Sequence, residues 1–173
     1  ALVLNETVPA ALRLLAAAGT RVDAWHQAGK ATLNVAEQAY KEAGVKARIV
    51  PFIEDMQQAY GWADLVVCRA GALTIAELTA AGVGAILVPY PSAVDDHQTR
   101  NALYMVEADA AVLLPQAELN AERLARELQR LAGDRNLLLA TAKNARQQAR
   151  PNATHELMQA CLNACLPQQV SSA

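Results

Sequence analysis

The chain has 173 residues, enough for one domain with a substantial core. Hydrophobic residues make up 53%, much of it alanine, while aromatics reach only 4%; this favours helices packed closely on a sheet over a β-sandwich. Fifteen Lys and Arg against 17 Asp and Glu give a net charge of −2, and without a basic tract nucleic-acid binding is disfavoured.

Helices and strands alternate along the chain. An amphipathic helix is predicted over Val8–Ala18 and a strand over Arg21–His26. A helix over Leu33–Ala43 is ended by Gly44, and a strand over Ala47–Val50 is stopped by Pro51. Met56–Tyr60 reads as one or two helical turns. Leu65–Cys68 is a strand, Thr74–Ala81 a helix ended by Gly82, and Ala85–Val88 a strand stopped by Pro89. A helix over His97–Glu107 and a last strand over Ala111–Leu114 follow. The remainder reads as helices near Asn120–Ala132, Asn136–Ala149 and Ala153–Leu166, with a frayed tail over 167–173. Short apolar strands between helices mean βαβ units, hence an α/β fold with a parallel sheet covered by helices on both faces. The opening is unusual. Nucleotide-binding α/β units begin with a strand and a glycine-rich turn, whereas this chain reads as starting just after that turn, giving a domain over 1–166 without its first strand.

Several motifs are excluded. Gly29-Lys30 is no P-loop, because Ala24 and Ala31 stand where glycine and Ser/Thr are required. Gly82-Val83-Gly84 lacks the third glycine of a dinucleotide fingerprint. His155-Glu156 begins a zinc-protease pattern that Gln159 breaks. Ser92, Ser171 and Ser172 are the only serines, and none sits in a nucleophile elbow. Cys68, Cys161 and Cys165 form no CxxC pair, which points away from zinc and disulfides and toward a reducing, cytoplasmic setting. The longest uncharged run, Leu78–Val94, is interrupted by Gly82, Gly84, Pro89 and Pro91 and is no membrane span.

Three loops at predicted strand ends carry the candidate chemistry, the place where open parallel sheets bind ligands. Arg69-Ala70-Gly71-Ala72 runs into a helix, so the N–H groups of Ala72, Leu73, Thr74, Ile75 and Ala76 can face a diphosphate. Glu77 can take ribose hydroxyls, or Thr74-x-x-Glu77 is a capping box. Arg69 is either an anion ligand or half of a structural ion pair. In Asp95-Asp96-His97-Gln98 an aspartate can cap the next helix, while His97 and Gln98 offer groups suited to sugar hydroxyls. In Pro51-Phe52-Ile53-Glu54-Asp55-Met56 the Ile53 backbone can pair with a base edge beside Met56, or Asp55 simply caps a helix. His26 is a weaker candidate, with a structural role as its alternative.

Five segments together resemble the MurG family of bacterial transferases. They are Asn5-Glu6-Thr7-Val8-Pro9, Trp25-His26-Gln27-Ala28-Gly29-Lys30, Pro51 through Met56, Trp62 through Glu77, and Asp96-His97-Gln98 with Asn101-Ala102. Order and spacing agree from Ala1 to about residue 165. The resemblance implies the C-terminal, donor-binding domain of a GT-B glycosyltransferase with Rossmann-like architecture. It implies inverting transfer of GlcNAc from UDP-GlcNAc to lipid I, making lipid II for peptidoglycan and so serving cell-wall synthesis, cell shape and division. It assigns uracil to the Ile53 backbone, ribose to Glu77, the diphosphate and sugar to Ala72 through Thr74, and the GlcNAc hydroxyls to Gln98 helped by His97. Ala70 stands where many members have serine. No cofactor or metal is implied, the general base and lipid I site belong to the other domain, and attachment is peripheral, on the cytoplasmic face of the inner membrane. Two alternatives are the catalytic subunit of a split dolichol-linked GlcNAc transferase and a UDP-sugar binding module without turnover.

Overall fold

The computed structural model describes residues 1–91 and 94–165. The expected frayed tail lies outside the described residues. Strands β1 (Trp25–Gln27), β2 (Arg48–Val50), β3 (Leu65–Cys68), β4 (Gly84–Leu87) and β5 (Ala111–Leu113) alternate with helices α1 (Leu2–Ala17), α2 (Leu33–Ala43), α3 (Met56–Trp62), α4 (Ala72–Ala81) and α5 (His97–Val106). Helices α6 (Ala121–Ala132), α7 (Arg135–Gln147) and α8 (Ala153–Cys165) complete the described chain.

All strand pairs are parallel, in two sets: β1 with β2, and β3–β4–β5 in that order. The larger set has helices on both sides, and the pleat explains how. Leu65, Val67, Ile86, Val88, Val112 and Leu114 join the core shared with α1, α2 and α6. The alternating Val66, Cys68, Ala85, Leu87, Ala111 and Leu113 join the core under α4, α5 and α7. This period of two, apolar at every position, is the mark of a strand buried on both faces.

Several boundaries differ from the sequence reading: β1 is Trp25–Gln27 rather than Arg21–His26, α4 starts at Ala72 rather than Thr74, and two further differences have a visible cause. Helix α1 starts at Leu2 and runs through Pro9, although proline forfeits the bond to the Asn5 carbonyl. Burial on both sides of that defect holds the helix together: Leu4, Asn5, Pro9, Leu12 and Leu15 are all buried. Strand β4 begins one residue early, at Gly84. A Cβ there would lie 2.6 Å from Thr141 Cγ2, so glycine is what lets β4 and α7 approach. The expected stops at Gly44 and Gly82 are present, both in the left-handed conformation.

Candidate functional site

Helix α4 begins at Ala72, with Gly71 as a cap position that has no side-chain hydrogen bond. The first N–H groups of a helix have no intrahelical acceptor, so those of Ala72, Leu73 and Thr74 remain available to an anion. The expected set was larger. The Ile75 N–H donates to the Gly71 carbonyl at 3.0 Å, and the Ile75 side chain is in the core. Ala76 lies deeper still, where the helical ladder engages its N–H. Ile75 and Ala76 therefore drop out as direct donors.

The capping-box alternative also falls. Thr74 is the third residue inside α4 and cannot be its cap. Glu77 instead accepts a hydrogen bond from the Tyr60 hydroxyl at 2.9 Å. A groove of about 460 Å³ between α3 and α4 is lined by Met56, Tyr60 and Glu77, so two predicted site residues, Met56 and Glu77, line one groove from its two walls.

The β3–α4 loop is braced from behind. Arg69 Nη1 donates to the carbonyls of Val88 (3.1 Å) and Pro89 (2.9 Å), and Nη2 to Gln116 Oε1 (2.6 Å). Its expected alternative, a structural ion pair, is replaced by a clamp on neutral oxygens, with the guanidinium 5.4 Å from the Tyr90 ring centroid. Asn101 on α5 donates from Nδ2 to the Ala70 carbonyl at 3.0 Å. That bond joins the middle of α5 to the loop that leads into α4. Asn101 was quoted in the sequence motif without a role; its bond to residue 70 spans 31 positions and leaves no local signature.

Gln98 is half-buried in the first turn of α5, and its Oε1 accepts the Tyr90 N–H at 3.0 Å. The amide is thereby oriented, with Nε2 left as the donating end. His97 opens the helix and is exposed. Asp96 holds the cap position, but its carboxylate accepts the Thr99 hydroxyl (2.6 Å) rather than a backbone N–H. Both Asp95 and Asp96 have positive φ, 54° and 51°, a conformation aspartate tolerates better than most residues.

At the end of β2, Asp55 caps α3 by accepting the Gln58 N–H at 2.8 Å, as its alternative reading foresaw. The Ile53 N–H is not free. It donates to Gln27 Oε1, at the end of β1, at 2.9 Å. A base edge that reads Ile53 through its N–H must displace that amide; the carbonyl needs no such exchange.

His26 is structural. Asn5 Nδ2 donates to the Ala28 carbonyl (3.0 Å) and to Thr32 Oγ1 (3.0 Å), so Asn5 Oδ1 must accept from His26 Nε2 (3.0 Å). His26 Nδ1 is then the acceptor for the Tyr40 hydroxyl at 3.1 Å. Burial, and next the nearby Ala1 amino group, lower the His26 pKa to about 4. The same amino group is lowered by burial and then by Arg69. Phe52 and Tyr90 are exposed on the loops after β2 and β4, and Leu73 is exposed in the first turn of α4. Among the described residues no group of three or more His, Cys, Asp or Glu is placed to hold a metal.

The family model for the glycosyltransferase family 28 C-terminal domain matches residues 1–157. The chain belongs to that family. The family 28 domain is 57% identical over 162 residues to the UDP-N-acetylglucosamine–N-acetylmuramyl-(pentapeptide) pyrophosphoryl-undecaprenol N-acetylglucosamine transferase of Marinobacter nauticus, covering 94% of this chain and 44% of that protein. It is 55% identical over 160 residues to the same-named transferase of Nitrosococcus oceani, covering 92% of this chain and 44% of that protein. The crystal structure of Acinetobacter baumannii MurG superposes with a TM-score of 0.86 at 40% identity, covering 94% of this chain and 46% of that one. The family 28 domain thus has the fold of the C-terminal domain of a GT-B glycosyltransferase. It spans less than half the length of these relatives. No helix among the described residues is long and apolar enough to cross a membrane.

Proposed function

We propose that this chain is the UDP-GlcNAc-binding half of an inverting hexosyltransferase that moves GlcNAc onto lipid I to form lipid II. The observation that carries this reading is the uncapped start of α4, with Glu77 following on the same helix. At about 1.5 Å of rise per residue, Glu77 lies roughly 4.5–7.5 Å along the axis from Thr74 and Ala72. That is a fitting reach from a diphosphate to the ribose of the same nucleotide. The N–H groups of Ala72, Leu73 and Thr74 hold the diphosphate, and the dipole of α4 favours its charge. Glu77 accepts from the ribose hydroxyls. Ile53 takes the uracil edge beside Met56, its N–H after exchange with Gln27.

Gln98 donates from Nε2 to a GlcNAc hydroxyl, with His97 beside it. The same N–H cradle stabilises the negative charge that develops on UDP as it leaves. The acceptor C4 hydroxyl attacks the anomeric carbon, and its general base and the lipid I site come from the other half of such a transferase. Association with the cytoplasmic face of the inner membrane is peripheral and belongs mainly to that half.

The test compares UDP-GlcNAc with UDP in calorimetry on Gln98→Ala. Loss of UDP-GlcNAc affinity with UDP affinity retained supports the assignment. Equal loss on both ligands moves Gln98 away from the sugar.

A further inference from the structure

We propose that Tyr60 is a positioning residue for ribose recognition: its hydroxyl fixes the Glu77 carboxylate in the orientation that accepts the nucleotide's vicinal hydroxyls. The inference rests on the reading of Glu77 as the ribose ligand.

Tyr60 lies on α3 and Glu77 on α4, and the two helices form the walls of the groove of about 460 Å³. The Tyr60 hydroxyl to Glu77 Oε2 bond, 2.9 Å, is the one side-chain hydrogen bond that carboxylate receives among the described residues. Gly61, Ala80 and Ala81 also line the groove and have no polar side-chain atom; Gln57 lines it too, but no hydrogen bond joins its amide to Glu77. Without Tyr60 the long Glu77 side chain is free to sample other rotamers. An ionised carboxylate has about four acceptor sites. Tyr60 uses one of them, on Oε2, and Oε1 stays clear for a ligand. Burial first, and then the bond to and charge of Glu77, push the Tyr60 pKa up. The phenol stays protonated at neutral pH and donates to the carboxylate. The bond cannot invert, because an ionised glutamate has no proton to give. Tyr60 also packs against the core under α4. Its ring is thus anchored, and the anchor extends to Glu77 through the hydroxyl alone.

This predicts a ligand-specific loss. Ordering a rotamer-rich side chain on binding costs roughly 3- to 10-fold in affinity. Tyr60→Phe removes only the hydroxyl and keeps the packing, so Glu77 is ordered by the ligand instead of beforehand.

Calorimetry on the intact protein with UDP and with 2′,3′-dideoxy-UDP tests it, using Tyr60→Phe, Glu77→Ala and the double variant. Tyr60→Phe is expected to weaken UDP roughly 3- to 10-fold and to leave dideoxy-UDP unchanged. Glu77→Ala is expected to weaken UDP further, and Tyr60→Phe to add nothing on that background. Equal losses on both ligands in Tyr60→Phe, with Glu77→Ala still discriminating between them, overturn the role of Tyr60 alone. If Glu77→Ala fails to discriminate, the ribose assignment falls and the inference with it. Thermal unfolding of each variant excludes a loss through misfolding.

Discussion

Acid should destabilise this domain through His26, in a window set by its environment. The imidazole is held neutral between Asn5 Oδ1 and the Tyr40 hydroxyl, and burial is the main reason its pKa falls to about 4. In the unfolded chain a histidine titrates near 6.5. Between these values the unfolded state binds the extra proton, so stability rises with pH and falls on acidification. The two-state linkage gives a loss of about 1.4 kcal/mol at pH 5.5 and about 2.6 kcal/mol at pH 4.5. These are upper values, because His26 is only part-buried and solvent screens some of the effect. Protonation also breaks the acceptor role of Nδ1 toward Tyr40. The assay is urea unfolding at steps from pH 7.5 to 4.5, on the natural chain and on His26→Gln, which lacks the titration. The difference between them should shrink as pH falls below about 6.5. An imidazole resonance titrating near pH 4 would agree. Parallel stability curves, or titration near 6.5, would refute the reasoning.

Asn101→Ala should leave the buried Ala70 carbonyl without its side-chain donor, at about 1–3 kcal/mol of stability. Because the peptide plane at Ala70–Gly71 sets the entry to α4, the same variant should weaken UDP binding several-fold while leaving uridine, which lacks phosphates, little affected; calorimetry with both ligands decides. Gly84→Ala should destabilise by about 1–3 kcal/mol, since its Cβ meets Thr141 Cγ2 at 2.6 Å. Adding Thr141→Ser, which removes that methyl group, should recover part of the loss in chemical denaturation.

The alternation of β3, α4, β4, α5 and β5 was legible because the strands are short apolar runs and Gly82 and Pro89 punctuate the elements between them. Gly44, Gly82 and Asp55 marked their helix ends for local reasons, and the structure uses them so. The site was less legible where local pattern and tertiary contact give the same letters. Thr74-x-x-Glu77 reads identically as a cap or as a ligand, and the cap reading falls only once α4 is seen to start at Ala72, with Glu77 bonded to Tyr60 17 residues away. The Gln27 amide on the Ile53 N–H crosses 26 residues and has no sequence signal. The same holds for the Asn5–His26–Tyr40 network, whose members lie on three different elements. The start of α1 was not legible either, because the helix runs through Pro9, a residue disfavoured in a helix interior.

The central claim is that the first turn of α4 and the side chain of Gln98 receive one UDP-GlcNAc molecule. Amide chemical shifts recorded while UDP, and then UDP-GlcNAc, is added to the isotope-labelled protein test it most directly. The account predicts shifts at Ala72, Leu73 and Thr74 with both ligands, and at the Gln98 side-chain amide with UDP-GlcNAc alone. Shifts confined to other segments, or a Gln98 response to UDP equal to that with the sugar attached, would contradict it.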